Sequence, residues 1–253
     1  MRKNITICLT YFRSLSLANL EAALFSVKYQ DMTRVNSINI IDNDTDDGIR
    51  DLQRVIDGMG FTVPVYFSSF KHRDKTKTHA WSTNAAVERA QTSWVFFTRA
   101  DYILDWGIVN EFVQIADKKP EDWNGFITSY GFHLNHDIGH VNFTNWRHVD
   151  EFPRHLPGVL IDYSKVDTGV WMMPKAGFNA VGGLDERLSA WGHAQTHFQH
   201  KLWEAGTEFV VIPKTMFFHP LHSAERDLDL ANKQIAEIGA DLRGMWARHP
   251  GVY

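Results

Sequence analysis

An α/β fold, a single domain with one central, mostly parallel mixed sheet flanked by helices, is predicted by three features of the sequence. Apolar runs of strand length alternate with helix-period stretches through the first half, and two βα units in succession imply parallel strands. The 253 residues are enough for one large domain and leave little for a second. The strands of the first half stop in polar clusters, at the edge where an open parallel sheet binds its ligands.

The elements follow in order. Asn4 to Thr10 reads as a short buried strand, Leu17 to Tyr29 as an amphipathic helix, Ser37 to Ile41 as a strand and Gly48 to Met59 as a helix. Val63 to Ser68 is a third strand, Ala80 to Gln91 a third helix, and Ser93 to Thr98 a strongly apolar fourth strand ending in Arg99-Ala100-Asp101. The second half is mixed. Phe126 to Phe132 and Val141 to Trp146 read as strands around a His/Asn/Gly-rich turn, and Thr168 to Met173 as another. Helices are expected at Lys175 to Ala180, Ala194 to Ala205 and Leu228 to Trp246, the last a packing helix or a dimer or acceptor contact; the sequence leaves the oligomeric state open.

Composition removes several classes of function. With 44% hydrophobic and 22% charged residues the chain is neither disordered nor fibrous. Lys and Arg total 26 against 30 Asp and Glu, so the net charge of −4 provides no global field for nucleic acid or anionic lipid. The single cysteine, Cys8, excludes an internal disulfide and a Cys-based zinc site, and fits a reducing compartment. The apolar stretch Ile5 to Leu9 is too short for a signal peptide, and no later window is long enough to span a bilayer. A cytoplasmic chain with no membrane partner is therefore expected. Aromatics reach 13%, which suits a cleft that stacks rings, although core filling accounts for most of them.

Two strand ends carry chemistry-bearing groups. Asp42-Asn43-Asp44-Thr45-Asp46-Asp47-Gly48 is too acidic for turn formation and helix capping alone, and a carboxylate or amide there can accept from a nucleobase N–H. Asp101 is either a cap ahead of Trp106 or a hard oxygen ligand for a divalent cation. The loops Lys71 to Lys77 and Arg147 to Pro157 read as solvated surface, or as a lid over phosphates.

Taken together, Ile5 to Arg13, Ile40 to Asp47, Asn84-Ala85-Ala86, Trp94 to Leu104, and Val181-Gly182-Gly183-Leu184-Asp185-Glu186 through Trp191-Gly192 resemble the family 2 type of GT-A glycosyltransferase, over about Ile5 to His222. The resemblance implies a nucleotide-binding half over about residues 1–105 and an acceptor-side half over about 106–253. Thr10, Tyr11, Asp42 and Asn43 would then line the nucleotide pocket. Lys77, Asn84, Arg99, Ala100, Thr168, Gly169, Gly183, Trp191 and Gly192 would complete the nucleotide-sugar site. The family's Asp-x-Asp motif is altered: Arg99-Ala100-Asp101 keeps only the second acid. Either Asp101 and His219 hold a weakly bound Mn²⁺ or Mg²⁺, or Arg99 partly replaces the ion with its own charge. The acid that usually serves as acceptor-side base is also missing, His193-Ala194-Gln195 standing in its place. His193 is the first replacement, because a neutral imidazole accepts a proton near pH 7; His197, one helical turn on, and Asp185 are the alternatives.

The function so implied is transfer of a sugar from a nucleotide diphosphate donor, a uridine one by resemblance, to the hydroxyl of a soluble acceptor. A saccharide or small molecule leads. A hydroxymethylated base in DNA is a second acceptor class, requiring base flipping and a local phosphate-binding face from Lys71 to Lys77, Arg147 and Arg154. The two lost acids also fit a retaining mechanism, in which the leaving phosphate takes the proton, or a catalytically inactive nucleotide-sugar-binding module.

Overall fold

Eight residues from Ile5 to Phe12 form β1, and all but the last are buried. A strand buried on both faces must lie inside a sheet covered on both sides. In the computed structural model, which describes residues 4–12, 15–43, 49–70, 79–134, 158–160, 169–188, 193–220 and 228–238, β1 is that strand. It runs parallel to β2 (Val35–Asn43) on one side and to β4 (Trp94–Arg99) on the other, and β3 (Val65–Phe70) extends the parallel set beyond β2. Helices α1 (Leu17–Lys28), α2 (Ile49–Met59) and α3 (His79–Glu88) connect these strands. Ser16 starts α1 with a capping box, its side chain accepting from the Asn19 amide while Asn19 accepts from the Ser16 amide.

The second half adds β5 (Ile103–Leu104), α4 (Ile108–Asp117), β6 (Gly125–Leu134), β7 (Gly158–Leu160), β8 (Trp171–Pro174), α5 (Lys175–Ala180), α6 (His193–Glu204), β9 (Glu208–His219) and α7 (Leu228–Glu237). Among the described residues the strands form one sheet in the order β3-β2-β1-β4-β8-β6-β9-β5, with β7 on β6. Strand β8 is antiparallel to both β4 and β6, so the mixed character enters where the second half joins the first.

Alternation along the strands divides the core. Ile5, Ile7, Leu9 and Phe96 face a cluster completed by Leu20, Leu24, Leu52 and Phe112 from α1, α2 and α4. Cys8, Val95 and Phe97 face the other side, where α3, α5 and α6 bring Val87, Phe178 and Phe198. Trp171 stacks there on Phe97 at 5.0 Å and on Phe178 at 5.8 Å, so it fills the core.

Four elements were not expected: the short strands β5 and β7, helix α4 and strand β9. Helix α4 begins at Gly107, whose left-handed φ of 78° suits glycine, and it buries Ile108, Val109, Phe112, Val113 and Ala116 on one face. Strand β9 contains Pro213, which argues against a strand interior because it removes a donor from the ladder. The pairing with β6 accommodates it by a bulge: Ser129 pairs with Ile212, and the next residue, Tyr130, with Met216. The Ser129 hydroxyl donates to the carbonyls of Ile212 and Thr215 inside that bulge. The predicted strand Val141 to Trp146 and the end of the last predicted helix lie outside the described residues. No helix among the described residues is long and apolar enough to cross a membrane.

Candidate active site

Parallel strands end on the same edge, so the register of the sheet fixes which polar groups become neighbours. Tyr11 pairs with Asp42, Phe12 with Asn43, and Thr10 with Arg99; the Ala100 amide extends the ladder by donating to the Thr10 carbonyl at 2.9 Å. Asp42 is buried and accepts from the Ser69 hydroxyl at 2.6 Å. Burial and the Asp42 carboxylate push the Tyr11 phenol up to about 12, and its hydroxyl donates to the Leu15 carbonyl at 2.8 Å. Tyr11 therefore holds the turn after β1, with its ring packed in the core beneath this edge.

The chain turns sharply after β4, with the Tyr102 amide donating to the Arg99 carbonyl. This turn folds the Arg99 guanidinium back onto Asp101. Nε donates to Oδ1 at 2.9 Å and Nη2 to Oδ2 at 2.7 Å, a bidentate pair with side chains only 4% and 0% exposed. Nη2 also donates to the Tyr102 hydroxyl at 2.9 Å, and the guanidinium lies 4.5 Å over the Tyr102 ring and 5.9 Å from that of Phe12. Strand β5 follows at once and pairs antiparallel with the end of β9, Ile103 opposite Phe218, which brings His219 Nε2 to 3.3 Å from Asp101 Oδ2. Gly169 closes the cluster: a Cβ there would stand 2.3 Å from the Tyr102 ring, so the ring packs directly on its backbone.

The architecture matches a solved structure of GalNAc-T7 with UDP, GalNAc and Mn²⁺ at a TM-score of 0.65 and 11% identity, over 92% of this chain and 48% of that one. The chain has the GT-A glycosyltransferase fold. It spans about half the length of that protein. The family model described as the N-terminal domain of galactosyltransferase matches residues 154–223, a stretch that includes Gly169, Asp185, His193 and His219. No curated protein matches the sequence.

On this GT-A edge, sequence reasoning passed over His79, the first residue of α3. Its ring packs edge-on against Phe12 at 6.5 Å and lies 6.1 Å from Phe97, and its Nε2 is 2.8 Å from the side-chain nitrogen of Gln195 in α6. Burial, reinforced by the Arg99 guanidinium, pushes its pKa down to about 3, so it is neutral at physiological pH. The signal available in the sequence was a histidine opening a helix just beyond the third strand.

Other predicted residues cluster around the glycine pair. The Asn84 amide donates to the Leu184 carbonyl at 2.9 Å and to Glu186 at 3.0 Å, while its oxygen accepts from the Leu184 amide at 2.9 Å. Gly183, at φ 59°, leaves no room for a Cβ against that Asn84 oxygen, and its carbonyl accepts from Lys201. Asn84 thus clamps the Gly182-Gly183 turn to α3. Asp185 is gripped by the Arg187 side chain at 2.9 and 2.6 Å, and these hydrogen bonds hold its carboxyl below the usual range, making it a weaker base. His197 is half-buried, which lowers its pKa, and lies within electrostatic reach of Asp185. His193 opens α6. Lys77, Thr168, Trp191 and Gly192 lie outside the described residues, as do Asp44 to Gly48, the loop Lys71 to Lys77, Arg147 and Arg154.

A divalent ion finds a partial ligand set here. Asp101 Oδ2 and His219 Nε2 are 3.3 Å apart, near the ~3 Å that separates adjacent ligands with bonds of about 2.1 Å. Both Asp101 oxygens, however, already accept from Arg99, and among the described residues no three His, Cys, Asp or Glu groups gather to hold an ion. The donors among the described residues do not by themselves fit a resident divalent ion.

Proposed function

We propose that the chain is a glycosyltransferase that moves a sugar from a uridine diphosphate donor to the hydroxyl of a saccharide or small-molecule acceptor, in a reducing compartment such as the cytoplasm. The observation that carries this reading is the convergence, on one edge of a GT-A sheet, of the ends of β1, β2 and β4 with His219 from β9. Asp42 and Asn43 meet the base, Thr10 and Tyr11 frame it, and the cluster of Arg99, Asp101 and His219 receives the diphosphate. What supports the compartment is that Cys8 is the single cysteine, so the sequence holds no internal disulfide.

On the acceptor side the proton of the attacking hydroxyl goes to a neutral imidazole. His193 at the start of α6 takes that role, with His197 one turn further along; the Arg187-bound Asp185 is the poorest of the three bases. Incubation with UDP-sugars and a panel of hydroxyl acceptors, following released UDP, tests the reading. Turnover that is lost in Asp101→Ala and cut more than about tenfold in His193→Ala, both folded by circular dichroism, is expected. UDP binding with no turnover on any acceptor would instead make the protein a binding module.

A further inference from the structure

We propose that this edge takes up a nucleoside diphosphate without a divalent cation, because Arg99 supplies as a fixed charge what the ion would bring. The inference rests on the reading of the β4 end as the diphosphate site and concerns how that site is neutralised. Exchanging a carboxylate for a guanidinium changes the local charge by two units, the charge of a divalent ion. Two acids with one such ion are neutral, and so are Arg99 and Asp101 alone. Before a diphosphate arrives, an ion added beside this pair would bring two uncompensated charges into a buried place, where charge is costly.

Geometry points the same way. The guanidinium spans both oxygens of Asp101, so an ion reaching Oδ2 would sit against it. It is also fixed in orientation, by the Tyr102 hydroxyl at 2.9 Å and by the faces of Tyr102 and Phe12. The Tyr102 ring cannot retreat, since it lies on Gly169 and edge-on to Phe217 at 5.0 Å. Arg99 is only 3% exposed, and it acts as charge beneath the site rather than as a surface ligand. His219, 8% exposed, is the member of the cluster nearer to solvent.

Two measurements on the full chain test the proposal. Titration with Mn²⁺ alone, followed by the paramagnetic resonance of the free ion, is expected to show no saturable site; a site that disappears in Asp101→Asn overturns the proposal. Calorimetric UDP binding in EDTA and in Mn²⁺ is expected to agree within about twofold, and binding more than about tenfold weaker in EDTA overturns it. Arg99→Asp, which restores an acid pair, is expected to gain both a Mn²⁺ site and Mn²⁺-dependent UDP binding. If it fails to fold, the wild-type titrations decide. UDP binding in neither condition would remove the glycosyl-transfer reading, while the Mn²⁺ titration would still settle whether Arg99 closes Asp101 to the ion.

Discussion

His79 and Gln195 meet side chain to side chain at 2.8 Å, joining the start of α3 to the start of α6 across the edge where β1 and β4 end. The contact ties the half of the chain that carries the parallel strands to the half that carries the acceptor-side candidates. It also holds an ionisable ring in a place that disfavours its charge.

That placement has a consequence for stability against pH. The unfolded chain takes up a proton on His79 near 6.5, whereas the folded one resists until about 3. The contribution of His79 is complete above pH 6.5 and is lost as pH falls towards the folded value, because in that window the unfolded state binds the extra proton. His79→Gln, which cannot charge and still offers an amide to Gln195, should flatten the loss of stability across that window. Urea unfolding of both proteins at several pH values measures it, and identical slopes would argue that His79 is protonated in the fold.

The Arg99 and Asp101 side chains are each other's condition for burial. Arg99→Leu takes the guanidinium away from a buried carboxylate and should cost roughly 3–5 kcal/mol, whereas Arg99→Leu with Asp101→Leu should recover most of that loss. A double-mutant cycle on urea unfolding reads the coupling directly. Two single substitutions that simply add would mean that the pair is not energetically linked.

Glycine positions give opposite expectations according to what surrounds them. Gly169→Ala places a Cβ 2.3 Å from the Tyr102 ring and should destabilise by about 1–3 kcal/mol while weakening UDP binding, since Tyr102 orients Arg99. Gly58→Ala, inside α2 with nothing within 4 Å of the new atom, should stabilise by about 0.5–1 kcal/mol. Thermal and urea unfolding of the two variants, with calorimetry of UDP, compare them.

Much of the first half was legible because strand and helix periods are local. Asn4 to Thr10, Ser37 to Ile41 and Ser93 to Thr98 announce themselves as apolar runs; the first two became β1 and β2 with longer bounds, and the third became β4, shifted by one residue. Strand β9 was hidden by Pro213, whose missing donor is tolerated only because β6 skips past it in register. Helix α4 was passed over, although its buried face from Ile108 to Ala116 follows a helical spacing.

The sequence by itself determined the alternating architecture of the first half and the identity of the polar strand ends, since each is written in neighbouring residues. Only the tertiary structure decided that Arg99 closes on Asp101, that His219 arrives beside them, and that Gly169 cradles Tyr102. Those contacts depend on strand register and on side-chain burial, which are set when distant segments pack and have no trace in local periodicity.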